Sequence, residues 1–346
     1  METCNRTQST DRQWPYLLAA AAGTLLLALA SGAARTNGTY TADAAVAAIH
    51  LKSAATVLLL LIVPAVWARL AHRISPWVLL GLAGFAFVCG WIVRGDAVSA
   101  LYTTLLIALP GAGLFGLQKL KLSNFRTVLY ESFVILAALF AFLCLGDLIG
   151  SGDAFLKFRQ LAALYGQVLG EIDFSAFGAN GALLSATMRE AIDLLRLNPE
   201  ALFAPMLLGA AMAAGLSNTL FSHLFNRNGG VTLSVLPPFE RWRCERWFVL
   251  LSAGFLLASL ALGMAGVESA DALSGVAGVL WRMPCMLAGL CTVRYLGSVS
   301  GKKWVFWLAI GALLVLPPAM IVILAMIGVL ASLRKPIDAG EDGIRK

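Results

Sequence analysis

One arginine lies inside an apolar stretch of the chain, where a charged group is expensive to bury. Arg282 falls about eight residues into the run that begins near Ser274, and Pro284 frees backbone carbonyls close to it. An ionisable residue in such a run generally binds a ligand or ion, or pairs with another charge. Arg282 is therefore a candidate solute-binding residue. Two structural alternatives are that it extends to the membrane interface, or that it pairs with Asp147 or Glu268.

A second candidate follows a stripe of small residues. From Gly209 to Gly215, glycine and alanine recur at four-residue spacing, which predicts that a neighbouring helix approaches closely. Asn218 comes next on the same helix, and its amide could bind a polar ligand or hydrogen-bond to another helix. Together with Arg282, Asn218 and Asp147 are the candidates for a polar solute site at membrane depth.

The remaining titratable residues give no catalytic pattern. Glu131 is interpreted as an interfacial partner of the basic loop at Arg126, with a proton carrier as the alternative. His50, His72 and His223 lie near predicted span ends without a carboxylate at helical spacing. The chain has no HExxH, GxSxG or paired-carboxylate motif. We expect no enzyme activity, no metal site and no cofactor.

A loop that is both basic and aromatic precedes one of the last spans. It contains Arg241, Trp242, Arg243 and Arg246. This composition is typical of a cytoplasmic membrane interface, where arginines also meet anionic lipid headgroups. These four residues are therefore candidates for a lipid interface or for docking of a cytoplasmic partner.

The elements that must position these residues follow from composition. The chain has 346 residues, of which 59% are apolar and 13% are charged, and its mean hydropathy is +0.81. Such a chain is too apolar for an ordinary soluble fold. The net charge of +7 does not indicate nucleic-acid binding, because the basic residues lie in loops between apolar runs, where they set membrane orientation.

The apolar runs predict an all-α integral membrane protein with about nine transmembrane helices. Five spans fall within residues 14–149 and four within 200–333, between a cytoplasmic N-terminal segment (1–13) and a polar tail (334–346). The first span also fits a cleavable signal peptide. The last is long, and Pro317-Pro318 makes it either one broken span or a two-pass hairpin. The predicted spans are 14–31, 54–70, 76–93, 97–117, 128–149, 201–225, 247–267, 274–296 and 304–333.

Residues 150–199 carry too many charges to lie in lipid and predict an extramembrane insertion. Apolar residues at helical spacing on either side of a Gly/Asn break at 178–181 predict two amphipathic helices. Asn198 is the expected N-cap of the next span, with Pro199 at the first helical position. Most Lys and Arg fall in loops on one side, which is therefore predicted to be cytoplasmic, and the insertion is placed outside.

One stretch of the chain resembles a known family. Asn226-Arg227-Asn228-Gly229-Gly230, followed by Leu236-Pro237-Pro238-Phe239-Glu240-Arg241-Trp242-Arg243, resembles the YybS-like family of predicted bacterial membrane proteins, whose function is uncharacterised. Weaker support comes from Ala288-Gly289-Leu290, Leu316-Pro317-Pro318 and Ile327-Gly328. The family usually has a proline shortly after the Trp-Arg pair, where this chain has Cys244-Glu245-Arg246.

The resemblance implies a bacterial inner-membrane protein, and its hydropathy is similar to that of the substrate-binding components of energy-coupling-factor vitamin transporters. We expect it to bind or help move a small solute with an ATP-driven partner, since no Gly-x-x-x-x-Gly-Lys loop is present. The alternative is a non-enzymatic scaffold of envelope assembly or cell division, surrounded by membrane lipids. A polar cavity lined by Arg282 and Asn218 would favour solute binding, and solid apolar packing would favour the scaffold.

Overall fold

A computed structural model of the chain describes most of the apolar regions. The described residues are 14–31, 42–95, 97–120, 122–149, 199–226, 242–267 and 269–334, with the isolated residues Arg159, Ala163 and Asp193. The predicted insertion between 150 and 199 and both terminal segments therefore lie outside the described residues, apart from those isolated positions and Pro199.

Every regular element in the described residues is an α-helix, which confirms the all-α prediction. Three helices are both long and apolar enough to cross a membrane, and several others are apolar but shorter. The number of membrane crossings stays a prediction. The ten described helices are α1 (Trp14–Ser31), α2 (Ala42–Arg73), α3 (Val78–Arg94), α4 (Ala97–Lys119), α5 (Asn124–Ile149), α6 (Pro199–Asn226), α7 (Arg246–Met264), α8 (Ala270–Val299), α9 (Trp304–Val315) and α10 (Pro317–Leu333).

The helices belong to two compact units. The first contains α1 to α5 and the part of α6 from Ala210 onward, and the second contains the start of α6 with α7 to α10. Helix α6 is described from Pro199 onward, and the predicted N-cap Asn198 lies outside the described residues, so the predicted helix start stays a prediction. The same helix therefore contributes residues to both units.

Trp67 of α2 is at the centre of the first unit. Its indole is fully buried and donates a hydrogen bond of 3.2 Å to the hydroxyl of Thr24 on α1. Gly111 of α4 packs against the indole, because a Cβ at that position would lie 3.1 Å from the Trp67 Cβ. A buried indole N–H needs a partner in a lipid-surrounded bundle, and Thr24 supplies it. This contact joins α1 to α2, and Gly111 brings α4 against the same ring.

In the second unit, α8 and α10 cross with their backbones touching. A Cβ on Gly289 would overlap the carbonyl oxygen of Leu324, and a Cβ on Gly328 would overlap that of Cys285. Small residues allow this approach. The resulting van der Waals contact holds the helices together in lipid, where the hydrophobic effect does not drive helices to associate. Both glycines belong to the short motifs that support the family resemblance, and the crossing is a physical reason for glycine at each position.

The long final apolar segment is interrupted at one residue. Leu316, with φ −128° and ψ 60°, separates α9 from α10, which starts at Pro317. This interruption confirms the predicted break at Pro317-Pro318. Its physical reason is that the residue before a proline is disfavoured in helical conformation. Leu316 still donates to the carbonyl of Ala312 and accepts from the amide of Met320, so both ends remain hydrogen-bonded.

Replacing Gly328 or Gly289 with alanine is expected to lower the unfolding temperature of the detergent-solubilised protein. The added methyl group meets backbone atoms that cannot rotate away, and overpacking of this kind costs about 1–3 kcal/mol. Gly311→Ala on α9 is the matched control, because no described atom lies within 4 Å of its Cβ position. Equal unfolding temperatures for Gly328→Ala and Gly311→Ala would contradict the backbone crossing.

Candidate functional site

The first unit contains a second close helix crossing, between α5 and α6. A Cβ on Gly215 of α6 would overlap the hydroxyl and the backbone of Ser132 on α5. The Ser132 hydroxyl donates a hydrogen bond of 2.7 Å to the carbonyl of Val128 on its own helix. It therefore needs no partner on α6. The close approach that the stripe of small residues predicts is confirmed at Gly215.

This crossing brings two polar side chains together. Glu131 precedes Ser132 on α5, and Asn218 lies three residues after Gly215 on α6. Both are fully buried, at 0% exposure. The Asn218 amide is close enough to the Glu131 carboxylate to interact with it, but neither carboxylate oxygen and neither amide atom makes a hydrogen bond of standard distance and angle within the described part of the chain. Two helices in tight contact therefore enclose four unsatisfied polar atoms.

The pair lies well inside both helices. Glu131 is seven residues from the start of α5 at Asn124, and Asn218 is eight residues from the end of α6 at Asn226. At about 1.5 Å per residue, both side chains lie roughly 10–12 Å along their helices from these ends. The contact between Gly215 and Ser132 is what brings the two side chains together.

Such a pair has a limited set of uses. Buried polar groups are almost always hydrogen-bonded, and each one without a partner needs an explanation such as a bound ligand. A carboxyl group and a carboxamide together offer acceptors and donors to a polar solute, or oxygen ligands to a cation. Among the described residues, no three His, Cys, Asp or Glu side chains gather to hold a metal ion.

A separate chain of hydrogen bonds lies between this pair and one end of the unit. Ser222 lies one turn beyond Asn218 on α6 and accepts a hydrogen bond of 2.5 Å from the amide of Gln118 on α4. The oxygen of Gln118 is 2.8 Å from Nε2 of His72 on α2. These bonds tie three helices together, so this part of the polar interior is satisfied by protein alone.

Glu131 was not the interfacial residue that the sequence suggested. Its oxygens are buried beside Asn218, and no hydrogen bond to Arg126 is present. The sequence signal was misleading because Arg126 is only five residues away along the chain. Helical phase and the Ser132–Gly215 crossing turn Glu131 inward instead.

Arg282, the leading sequence candidate, lies in the second unit on α8 and is exposed. Its guanidinium folds back over Gly278, whose Cβ position is 3.9 Å from Cζ. The helix continues unbroken through Pro284. Asp147 lies in α5, but the structure does not describe its side chain, and Glu268 lies outside the described residues. Pairing of either with Arg282 stays a prediction.

The basic and aromatic loop is partly held by the protein itself. Arg243 donates a hydrogen bond of 2.9 Å to the carbonyl of Ala331, near the end of α10, where helix carbonyls lack partners. Trp242 is half-buried, and Arg246 is exposed at the start of α7. Arg241 lies outside the described residues.

Comparison with known proteins assigns most of the chain to a protein family. Residues 45–330 match a family described as a predicted membrane protein, DUF2232. The chain belongs to the DUF2232 family. The matched region includes the Glu131–Asn218 pair, the α8–α10 crossing and Arg282, so these features lie within the DUF2232 part of the chain. No curated protein and no solved structure matches the chain significantly.

Apolar side chains at both positions of the pair, as in Glu131→Met combined with Asn218→Leu, are expected to stabilise the ligand-free protein. Each unsatisfied buried group costs about 1–3 kcal/mol, and an apolar replacement of similar shape removes that cost. The measurement is the unfolding temperature in detergent.

Gln118→Leu is the matched control for that experiment, and it should lower the unfolding temperature. Its amide bonds to His72 and Ser222, which would both lose a partner. A loss of stability in the double variant as large as that of Gln118→Leu would show that the pair is satisfied in the folded protein, contrary to the structure.

Proposed function

We propose that this membrane protein binds a small polar solute inside the first unit, at Glu131 and Asn218, as a substrate-binding component of a transporter. The observation that carries the proposal is the burial of both side chains without hydrogen-bond partners at a close helix crossing. Polar residues at membrane depth are costly and generally mark solute or ion pathways. A solute that satisfies these groups would offset that cost.

The transport setting rests on the sequence. No nucleotide-binding loop occurs in the chain, so energy for transport would come from an ATP-driven partner. The excess of basic residues in alternate loops favours a bacterial inner membrane with the N-terminus in the cytoplasm. In this setting the protein has no enzyme activity of its own.

The test is thermal stability of the purified full-length protein against a panel of amino acids, nucleosides and water-soluble vitamins. A ligand that binds only the folded state raises the free energy of unfolding by mass action, by about 2.7 kcal/mol at a concentration of 100 times Kd, and so raises the unfolding temperature. We expect at least one hit, lost in Asn218→Leu and in Glu131→Met.

Arg282→Ala is the control, because Arg282 lies in the second unit. It should keep the response to the same solute. A hit that is lost in Arg282→Ala and kept in both other variants would refute the site at Glu131 and Asn218. No hit in the whole panel would favour the scaffold.

The scaffold alternative is favoured by one observation at the start of α7. Arg246 and Trp247 are both exposed there, next to Arg243, which is bonded to Ala331. Exposed arginine and tryptophan are common in protein interfaces. An envelope or cell-division partner docked on this surface should lose affinity with Arg246→Ala, measured as a smaller complex on native gels of solubilised membranes.

A further inference from the structure

Two arginines at the end of α2 carry charge that the described protein does not neutralise. Arg69 is 6% exposed, and its Nε and one terminal nitrogen, Nη1, are buried without a hydrogen-bond acceptor. Arg73 likewise has Nε and Nη2 buried and without an acceptor. Four donor atoms of two guanidinium groups are therefore unsatisfied.

The two groups lie on one face of the same helix. Residues four apart in an α-helix are neighbours, and Arg73 acts electrostatically on Arg69. Like charges at this spacing repel each other. Burying an uncompensated charge is also expensive, so two such groups side by side need an anion between or beside them.

Tyr16 of α1 determines how the guanidinium of Arg69 is oriented. The Arg69 Cζ lies 3.7 Å from the centre of the Tyr16 ring, so the flat face of the guanidinium is stacked on the ring. Stacking on a face leaves the edge of the guanidinium to form hydrogen bonds in the plane of the group. The unsatisfied Nε and Nη1 of Arg69 lie in that plane on different sides of the group, so each can donate separately to an acceptor, whereas the unsatisfied Nε and Nη2 of Arg73 form the side fork that binds two oxygens of a carboxylate or phosphate.

More basic groups lie close by. Lys119, at the end of α4, acts on His72, which neighbours Arg73 in the chain. The Lys119 ammonium is 4.4 Å from the centre of the Phe115 ring, while its side chain remains exposed. This end of the unit is the one that the distribution of loop charges places at the cytoplasmic interface. Its potential therefore favours anions.

We propose that Arg69 and Arg73 form a binding site for a phosphate group at the end of α2. A phosphate group has enough free oxygens to accept from the Arg73 fork and from a donor of Arg69, and its negative charge offsets the repulsion between the two arginines. The group is either the headgroup of an anionic phospholipid or a soluble phosphate. Basic pockets between transmembrane helices on the cytoplasmic side bind such headgroups. The site uses none of the residues of the Glu131–Asn218 pair and does not depend on the proposed solute.

The experiment measures the unfolding temperature of the full-length protein in two arms. One arm adds inorganic phosphate to protein in an uncharged detergent, with sodium chloride at equal ionic strength as the reference. The other adds phosphatidylglycerol to the micelles, with phosphatidylcholine as the reference. A rise with inorganic phosphate identifies a soluble source, and a rise with phosphatidylglycerol alone identifies a lipid source.

The variants are Arg69→Gln and Arg73→Gln, with Arg334→Gln as a matched control at an exposed arginine in the second unit. The first two should lose the rise and the control should keep it. Arg73→Lys keeps the charge but not the fork, so it should lower the apparent affinity for the phosphate group at least tenfold. This variant also guards against a folding defect in the glutamine variants. No rise in either arm for the wild type, or an unchanged rise in Arg69→Gln and Arg73→Gln, would overturn the proposal.

Discussion

The structure depends on one constraint, that a polar atom inside a lipid-surrounded bundle has only protein or a bound molecule to satisfy it. Most polar groups of the first unit meet this requirement locally. Serine and threonine hydroxyls return to the preceding turn of their own helices, and Trp67, Gln118 and His72 bond across helices. Against this background, the Glu131–Asn218 pair and the Arg69–Arg73 pair are conspicuous because their atoms are buried and unsatisfied.

Close backbone packing is what makes the exceptions costly. At the Gly215–Ser132 crossing there is no space for a side chain between α5 and α6, so Glu131 and Asn218 cannot swing away into lipid without separating the helices. The second unit shows the same packing device, where Gly289 and Gly328 let α8 and α10 touch beside Cys285. The crossing in the first unit encloses a carboxyl group and an amide, and this is why the functional proposal concerns the first unit.

Much of the fold follows from the sequence, because apolar runs of membrane length are a strong signal. Proline at 317 marked a helix break correctly, since its effect on the backbone is local. The stripe ending at Gly215 also predicted a close helix approach. The residues that the approach brings together could not be predicted, because the partner, Ser132, has no distinguishing spacing of its own.

Candidate site residues were harder to predict for the same reason. Asn218 was recognised from its position after the small-residue stripe, but Glu131 was assigned to the interface because Arg126 is near it in sequence. The direction in which a helical carboxylate points depends on the rotation of its helix against neighbours. Arg282 gave the stronger linear signal and is exposed, whereas Arg69 gave none beyond a basic loop and is buried.

The central claim is that Glu131 and Asn218 face each other across the α5–α6 crossing. It is tested most directly by thiol cross-linking in native membranes, with Glu131→Cys and Asn218→Cys combined in a chain whose six cysteines have been replaced. A short bifunctional reagent should link α5 to α6 efficiently in this variant, and poorly when Glu131→Cys is combined with Leu220→Cys, because Leu220 is exposed on α6. Equal linking of both pairs, or none at all, would contradict the buried pair on which the proposed function rests.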